Sequence, residues 1–384
     1  MIYLIGGSGG PNYGDELLMA LWVRCYREMG YQGPIIVDCR GRQSSERLHG
    51  QFENVYFTSF IKQLATGRAG SFAEHVARGR AFIDEHPSEQ TQKLAELEVC
   101  GIGWSWNQIR HVHLFGGGYI NGKWPNSASL LGAAAQLRQQ YGIPCLATGL
   151  GIAPLSGLGK ADAEALVEAI RSFSLFELRD LQSYNDVAAL VGFRATIVCG
   201  LDDCFLYSVE GLTRPRRIPG RALHLSGFEA SFASVSDEAL VQFLKTYQEE
   251  FPRVFFWQCN RSDVEVGERL KRLWPEMVKL TNASLLTNGA PVADGDFMVT
   301  GRFHPHLIAA RAGATGYFIA NSTFYSVKHS SVVDLGSPFE AMSDLRIAGV
   351  PPHRNVLKLR DNALCQRKRL LAQVLAESAL HNHT

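Results

Sequence analysis

Short apolar runs that end in glycine alternate with stretches carrying an apolar residue every third or fourth position along most of the chain. Ile2–Ile5 reads as a buried strand, and Asp15–Met29 as a helix with Leu17, Leu18, Leu21 and Trp22 on its inner face. Ile35–Val37 is a second strand, followed by a long mixed region to about Arg110. His111–Phe115 is a strand running into Gly116-Gly117-Gly118. Ser127–Tyr141 is a helix and Pro144–Thr148 a strand ending at Gly149-Leu150-Gly151. Helix Ala161–Ser172, strand Leu175–Leu178, helix Ser183–Leu190 and strand Ala195–Cys199 complete the first half. Strands alternating with helices of this length form βαβ units and hence a parallel sheet.

The texture breaks at Leu212–Arg221, where Pro215, Pro219 and four arginines crowd together. This stretch reads as a linker over 211–221. Its arginines suit either a solvated link or a polyanion such as a lipid head group. Alternation then resumes with strand Ala222–Ser226, helix Asp237–Phe251, strand Val254–Gln258, helix Val264–Trp274, strand Phe297–Thr300, helix His304–Ala312 and strand Gly316–Ala320. Asn362–Leu380 is a final amphipathic helix. The pattern predicts an α/β protein with two Rossmann-like domains facing across a cleft, over residues 1–210 and 222–360. Residues 361–384 are expected to pack back on the N-terminal domain, and a dimer contact is the alternative use of that helix. Ligands in such sheets collect at the carboxyl ends of strands.

Composition narrows the partners more than the fold. The chain has 384 residues with 38 Lys+Arg against 37 Asp+Glu, a formal charge of +1. That balance argues against a nucleic-acid footprint, whereas a small anion needs only a few local cations. The eight cysteines form no CxxC pair, so zinc-ribbon and thioredoxin-like readings fail, and buried reduced thiols in a cytoplasmic protein are expected. The first residues lack a basic stretch and a long apolar stretch, and no run is long enough to span a membrane. Peripheral contact with the inner membrane face stays compatible with this pattern. No metal is expected, because no His/Asp/Glu group has ligand spacing.

The chemistry-bearing motifs sit at strand ends. Gly6-Gly7-Ser8-Gly9-Gly10-Pro11-Asn12-Tyr13-Gly14-Asp15 joins the first strand to the first helix, but no Lys-Ser/Thr follows, which excludes a P-loop. Its spacing fits a dinucleotide fingerprint poorly, and no acid stands where a ribose ligand is expected. Asp15 is either a helix cap or a carboxylate facing the cleft. With Gly116–Gly118 and Gly149–Gly151, three glycine-rich strand ends suggest a floor that lets something approach the backbone. Arg179-Asp180 opens a helix, either as a surface capping pair or as a functional one. Asp202-Asp203 reads as a pair of turn acids more readily than as a metal site. The sharpest cluster is Thr300-Gly301-Arg302-Phe303-His304, which delivers a guanidinium and an imidazole to one helix start. Lys328 is expected to return to the same rim, so Arg302, Lys328 and the helix N-terminus suit a small, highly charged anion. His306 is assigned to the outer helix face, and His329 is left without a role.

These motifs stand in a telling order. Asn12-Tyr13-Gly14-Asp15 is followed by Gly116-Gly117-Gly118, Gly149-Leu150-Gly151-Ile152-Ala153-Pro154-Leu155 and Arg179-Asp180-Leu181-Gln182-Ser183. Asp202-Asp203-Cys204-Phe205, Arg302-Phe303-His304, Ala309-Ala310-Arg311-Ala312-Gly313 and Lys328 complete the series. Over roughly residues 1 to 336 the chain resembles the polysaccharide pyruvyl transferase family. It departs where the family has Arg-Leu-His (here Arg302-Phe303-His304) and Asp-Pro-Ala-Phe (here Asp202-Asp203-Cys204-Phe205). Leu280–Asp296 also shows little of the helix expected there.

The resemblance implies a GT-B-like fold. It also implies transfer of pyruvate from phosphoenolpyruvate (PEP) to two hydroxyls of a saccharide or lipid-linked saccharide, giving a cyclic ketal and phosphate, with no cofactor. Under it, Arg179, Arg302, Phe303 and Lys328 would hold PEP. His304 would be the proton donor to the methylene carbon or the phosphate, and Asp15 the base for a hydroxyl. The backbone at Gly10, Asn12, Gly14, Gly117, Gly118 and Gly151 would line the acceptor side. A nucleotide-sugar glycosyltransferase and a non-catalytic anion-binding member are the alternatives. The acceptor sugar, the ketal stereochemistry and the oligomeric state are not legible.

Overall fold

The computed structural model describes residues 1–67, 69–88, 102–155, 157–192, 197–217, 219–227, 235–343, 350–351 and 354–381. Near-continuous apolar runs make strands that are buried on both faces, as parallel sheets require. The first sheet is all parallel and seven-stranded, in the order β3-β2-β1-β4-β5-β6-β7. Its strands are β1 (Ile2–Ile5), β2 (Ile35–Asp38), β3 (Val55–Thr58), β4 (His111–Gly117), β5 (Cys145–Leu150), β6 (Leu175–Leu178) and β7 (Ile197–Cys199). In register, Ile2 lies opposite both Ile35 and His111.

The second sheet has six parallel strands in the order β10-β9-β8-β11-β12-β13. These are β8 (Ala222–Ser226), β9 (Arg253–Gln258), β10 (Val278–Thr281), β11 (Phe297–Thr300), β12 (Thr315–Phe318) and β13 (Glu340–Ala341). Both orders begin 3-2-1-4-5-6, the arrangement of dinucleotide-binding folds, so two Rossmann-like sheets are present as expected. The reversal of strand order lies between β1 and β4 in one sheet and between β8 and β11 in the other.

The helices among the described residues are α1 (Tyr13–Glu28), α2 (Arg42–His49), α3 (Phe72–Glu85), α4 (Ala128–Tyr141), α5 (Lys160–Arg171) and α6 (Leu181–Val191), then α7 (Asp237–Tyr247), α8 (Asp263–Leu273), α9 (Asn282–Asn288), α10 (Phe303–Ala312), α11 (Thr323–Asp334) and α12 (Val356–His381). None is long and apolar enough to cross a membrane. The chain divides into two units. The first comprises Met1–Gly10, Leu18–Leu206 and Lys368–Thr384, and the second Pro11–Leu17 and Tyr207–Arg367. The Asn12–Asp15 turn, expected with the N-terminal half, therefore groups with the second sheet. Its anchors are the Tyr13 N–H, which donates to the Cys259 carbonyl at 2.8 Å, and the Tyr13 ring, set edge-on to Trp257.

The mixed region before Arg110 holds α2, β3 and α3. Helix α3 opens on a reciprocal cap in which Ser71 accepts from the Glu74 N–H and Glu74 accepts from the Ser71 N–H. The irregular stretch Leu280–Asp296 contains α9, capped by the Thr281 hydroxyl. The two corrections differ in origin: α9 has only seven residues, whereas α3 buries a helical stripe of Phe72, Val76 and Ile83 and carries a readable cap. Cys100, residues 195–196 of the expected Ala195–Cys199 strand, and Ile218 of the linker lie outside the described residues. In the linker, Arg216 pairs with Asp296 and donates to Gly220 O. Arg221 pairs with Glu250 and stacks on Phe251. These two arginines bind the chain to itself.

An acid does stand at the end of β2, contrary to the sequence expectation, but it faces inward. Asp38 is fully buried and one of its oxygens accepts from the Tyr3 hydroxyl (2.9 Å) and the backbone N–H groups of Ile61 (2.6 Å) and Lys62 (3.1 Å). Burial pushes its carboxyl up to about 7 against the pull of those donors. An acid whose pKa is raised on folding contributes stability below its unfolded value, and that contribution is lost as pH rises through about 7. Stability is therefore expected to fall by about 3 kcal/mol between pH 5 and 8 through this group. Asp38→Asn should flatten that slope, as read by urea unfolding at both pH values.

Candidate functional site

The first cluster lies in the second unit, at its strand-order reversal. Strand β11 ends at Thr300, whose hydroxyl accepts from the Arg302 N–H (2.9 Å) and meets the Ser226 hydroxyl at the end of β8 (2.6 Å). This clasp holds the turn that starts α10, with Arg302 at the N-cap and His304 in the first turn. The Arg302 guanidinium runs along Gly227, whose φ of +52° and missing Cβ make room for it. Its Nη2 donates to Ser262 (3.0 Å) and pairs with Asp263. Asp263 is fully buried and also accepts from the Cys259 and Asn260 N–H groups, both at 2.9 Å. Its carboxyl is raised by burial, against the opposing pull of Arg302.

The Asn12–Asp15 turn belongs to the same cluster. Asn12 caps α1: its carbonyl accepts from the Glu16 N–H and its side chain from the Gly14 N–H at 3.2 Å. Asp15 is thus not the cap but a half-buried residue of the first turn, where a carboxylate suits the positive end of the helix. Gly14 is pressed against His304, so that a Cβ at 14 would overlap the imidazole. His304 is 9% exposed, with the half-buried Phe303 ring edge-on to it. Gly14→Ala is expected to displace His304 and cut turnover at least tenfold with little change in thermal midpoint, as read by steady-state kinetics and a melting curve.

Lys328 lies in the second turn of α11, not on a loop, with its ammonium 3.8 Å from the Phe324 ring centroid. The side chain therefore leans toward the start of that helix. His306 is a correction to the sequence reading: it is fully buried, with Nδ1 3.0 Å from His329 Nδ1 and Nε2 2.9 Å from the Ser337 hydroxyl. Burial holds both imidazoles below their ordinary pKa, His329 at about 3. Both are therefore neutral rings near neutral pH.

The second cluster lies in the first unit. Arg179 follows β6 and is almost wholly buried, its Nη1 donating to Asp202 at 3.0 Å and its Nε 4.0 Å from Asp180. Asp180 caps α6 through the Ser183 N–H at 2.7 Å. Of the two alternatives, a surface capping pair or a functional one, the surface placement does not hold: the pair is internal, Asp180 caps the helix, and Asp202 already offsets the Arg179 charge. A Cβ at Gly151 would meet that guanidinium at 2.7 Å. Asp203 accepts from the Gly116 N–H (2.8 Å) and the Thr148 hydroxyl (3.1 Å) and pairs with Lys368 at 2.7 Å. Glu177 pairs with Lys368 too, and accepts from the Gly149 and Leu201 N–H groups, both at 3.1 Å. The glycines at 116, 149 and 151 therefore admit the chain's own charged side chains. Gly117 ends β4 opposite Leu150, Gly118 follows it into the next turn, and a Cβ at Gly10 would meet nothing.

Sequence reasoning missed Asp263 and Lys368. Asp263 opens a helix three residues after Asn260, which a capping signal could have flagged, whereas Lys368 is one of many basic residues on an amphipathic helix.

A model of the family described as polysaccharide pyruvyl transferase matches residues 12–323, most of the chain. The chain belongs to that family. No curated protein matches it in sequence. Solved structures share its fold: the UDP-GlcNAc 2-epimerase from Methanocaldococcus jannaschii (TM-score 0.54, 10% identity, 98% of this chain and 99% of that one) and the UDP-GlcNAc 2-epimerase from Neisseria meningitidis bound to UDP-GlcNAc (0.53, 9%, 99% of each). A putative UDP-N-acetylglucosamine 2-epimerase from Listeria monocytogenes scores 0.53 at 9% identity, over 99% of this chain and 94% of that one. At such low identity these likenesses speak to the fold alone, a GT-B fold of two Rossmann-like domains. Among pyruvyl transferase family positions, the middle residue of Arg302-Phe303-His304 leaves Arg302 and His304 in the α10 turn, and Asp202 and Asp203 fill their loop with buried hydrogen bonds.

Proposed function

We propose that this chain transfers the pyruvyl carbons of PEP to two hydroxyls of one saccharide, free or lipid-linked, as a cyclic ketal with release of phosphate. The observation that carries the reading is the β11–α10 turn, where a guanidinium and an imidazole two residues apart stand at one helix start. Arg302 would bind the anionic donor by sharing its guanidinium with Asp263, and Lys328 and the helix N-terminus would add positive potential. Arg179, like Arg302 already paired with a carboxylate, would be the third cation. No cofactor enters the reaction.

Protonation of the methylene carbon by His304 would leave C2 an oxocarbenium-like electrophile. One hydroxyl attacks it and gives up its proton, and the C2–O bond to phosphate then breaks. The second hydroxyl attacks C2 and loses its proton, closing the ketal. One proton enters carbon and two leave oxygen, one of which the departing phosphate takes. Asp15 would orient and deprotonate a hydroxyl. The chain would work in the cytoplasm, touching the inner membrane face when the acceptor is lipid-linked.

A nucleotide-sugar donor is the second reading, favoured by the epimerase of the same fold that is bound to UDP-GlcNAc. Against it, Asp263, the buried acid beside Arg302, is committed to Arg302 and the backbone. The test mixes the purified protein with PEP and saccharide acceptors and follows phosphate release and acceptor mass together. Matched phosphate release and pyruvyl mass gain support the proposal. Thermal protection by a nucleotide sugar but not by PEP overturns it.

A further inference from the structure

The turn after β4 is built to display an aromatic ring. Gly118 leads into Tyr119, Ile120 and a tight Asn121–Trp124 turn, at the strand-order reversal of the first sheet. Asn121 is fully buried and spends three hydrogen bonds on that turn. Its Nδ2 donates to Gly118 O at 2.7 Å, and its Oδ1 accepts from the N–H groups of Lys123 (2.9 Å) and Trp124 (3.0 Å). The flanks are pinned as well. The Tyr119 hydroxyl donates to Phe115 O at 2.9 Å, and Asn126 Nδ2 donates to Ala65 O at 2.7 Å. Trp22, Trp104, Trp106 and Trp257 are all 2% exposed or less, whereas Trp124 is 39% exposed on this fixed frame. Lys123 places its ammonium over one face of the indole, 5.0 Å from the ring centroid. Lys62, nearly buried, places a second ammonium 4.3 Å from the Tyr119 ring.

A held, exposed indole with an ammonium donor on the same loop matches the needs of a pyranose. The C–H face of the sugar ring is apolar and packs on an aromatic plane, while its hydroxyls require hydrogen-bond partners at the ring edge. We infer that Trp124 is the stacking platform of an acceptor subsite in the first unit, with Lys123 donating to a sugar hydroxyl. The pinned turn lowers the ordering cost of binding, because the ring is already in place. This inference rests on the reading that the acceptor is a saccharide, but not on the donor or the chemistry.

The experiment therefore leaves PEP out. Binding of methyl α- and β-glucosides, galactosides and mannosides to the full-length protein is read by saturation-transfer NMR and fluorescence titration, for wild type, Trp124→Ala and Trp124→Phe. The expected result is weakening of about tenfold or more for Trp124→Ala, with most of the binding kept by Trp124→Phe and unchanged melting curves. Equal binding by Trp124→Ala and wild type overturns the platform, as does failure of every probe to bind wild type. In the transfer assay, an acceptor KM unmoved by Trp124→Ala would sink the platform while leaving pyruvyl transfer standing. Platform binding without any pyruvyl transfer would do the reverse.

Discussion

His304→Ala is expected to lower pyruvyl transfer by about 10²–10⁴-fold, the range over which a positioned proton donor accelerates a reaction. The side chain is held for such a task. It lies in the first turn of α10, behind a turn clasped by Ser226 and Thr300, with the Gly14 backbone against one side of its ring and Phe303 edge-on. If His304 donates to the methylene carbon, the loss falls on kcat while the KM for PEP changes little, since Arg302 and not His304 would carry the charge attraction. Solvent exchange into the methylene group of PEP should also disappear. His304→Ala with an intact kcat would remove the donor role, and a loss confined to KM would recast the residue as a binding group.

Lys368→Met is expected to destabilise the fold by about 3–5 kcal/mol, because removing one member of a buried ionic group strands the others. Lys368 is 1% exposed and bonds to Glu177, Asp203 and the Leu201 carbonyl (2.9 Å). Burial works against its charge, yet attraction to the two carboxylates outweighs that and raises its pKa. Glu177 is raised by burial despite Lys368. An acid raised on folding contributes stability at low pH and loses it as pH rises through its folded value. Without Lys368 that slope should steepen, so the deficit in urea unfolding should be larger at pH 8 than at pH 5. Lys368→Met with Glu177→Gln should recover part of the loss. A deficit below about 1 kcal/mol at pH 8 would show that water reaches the network and that burial has been overstated.

The runs at 2–5, 222–226 and 297–300 were legible as strands because a strand buried on both faces is mostly apolar, with few polar positions such as His224, Ser226 and Thr300 to blur it. The glycine-ended strands and the Arg302-Phe303-His304 step identified both the family and the turn that carries the candidate chemistry. Helices α2 and α9 were not visible as periodic patterns, since α2 buries only Ser45 and His49 and α9 has only seven residues. Partner choice was beyond local sequence altogether. Nothing near Gly14 announces that His304, 290 positions later, fills the space where its Cβ would be. Likewise, nothing near Asp203 points to Lys368. The sequence by itself determined two parallel α/β sheets and which residues stand at their carboxyl ends. Only the tertiary structure decided which charges meet there. Arg302 and Arg179 each came with a carboxylate, and the glycines gave room to the chain's own side chains, because a buried charge is stable only beside a partner and partners are brought together by packing, not by spacing along the chain.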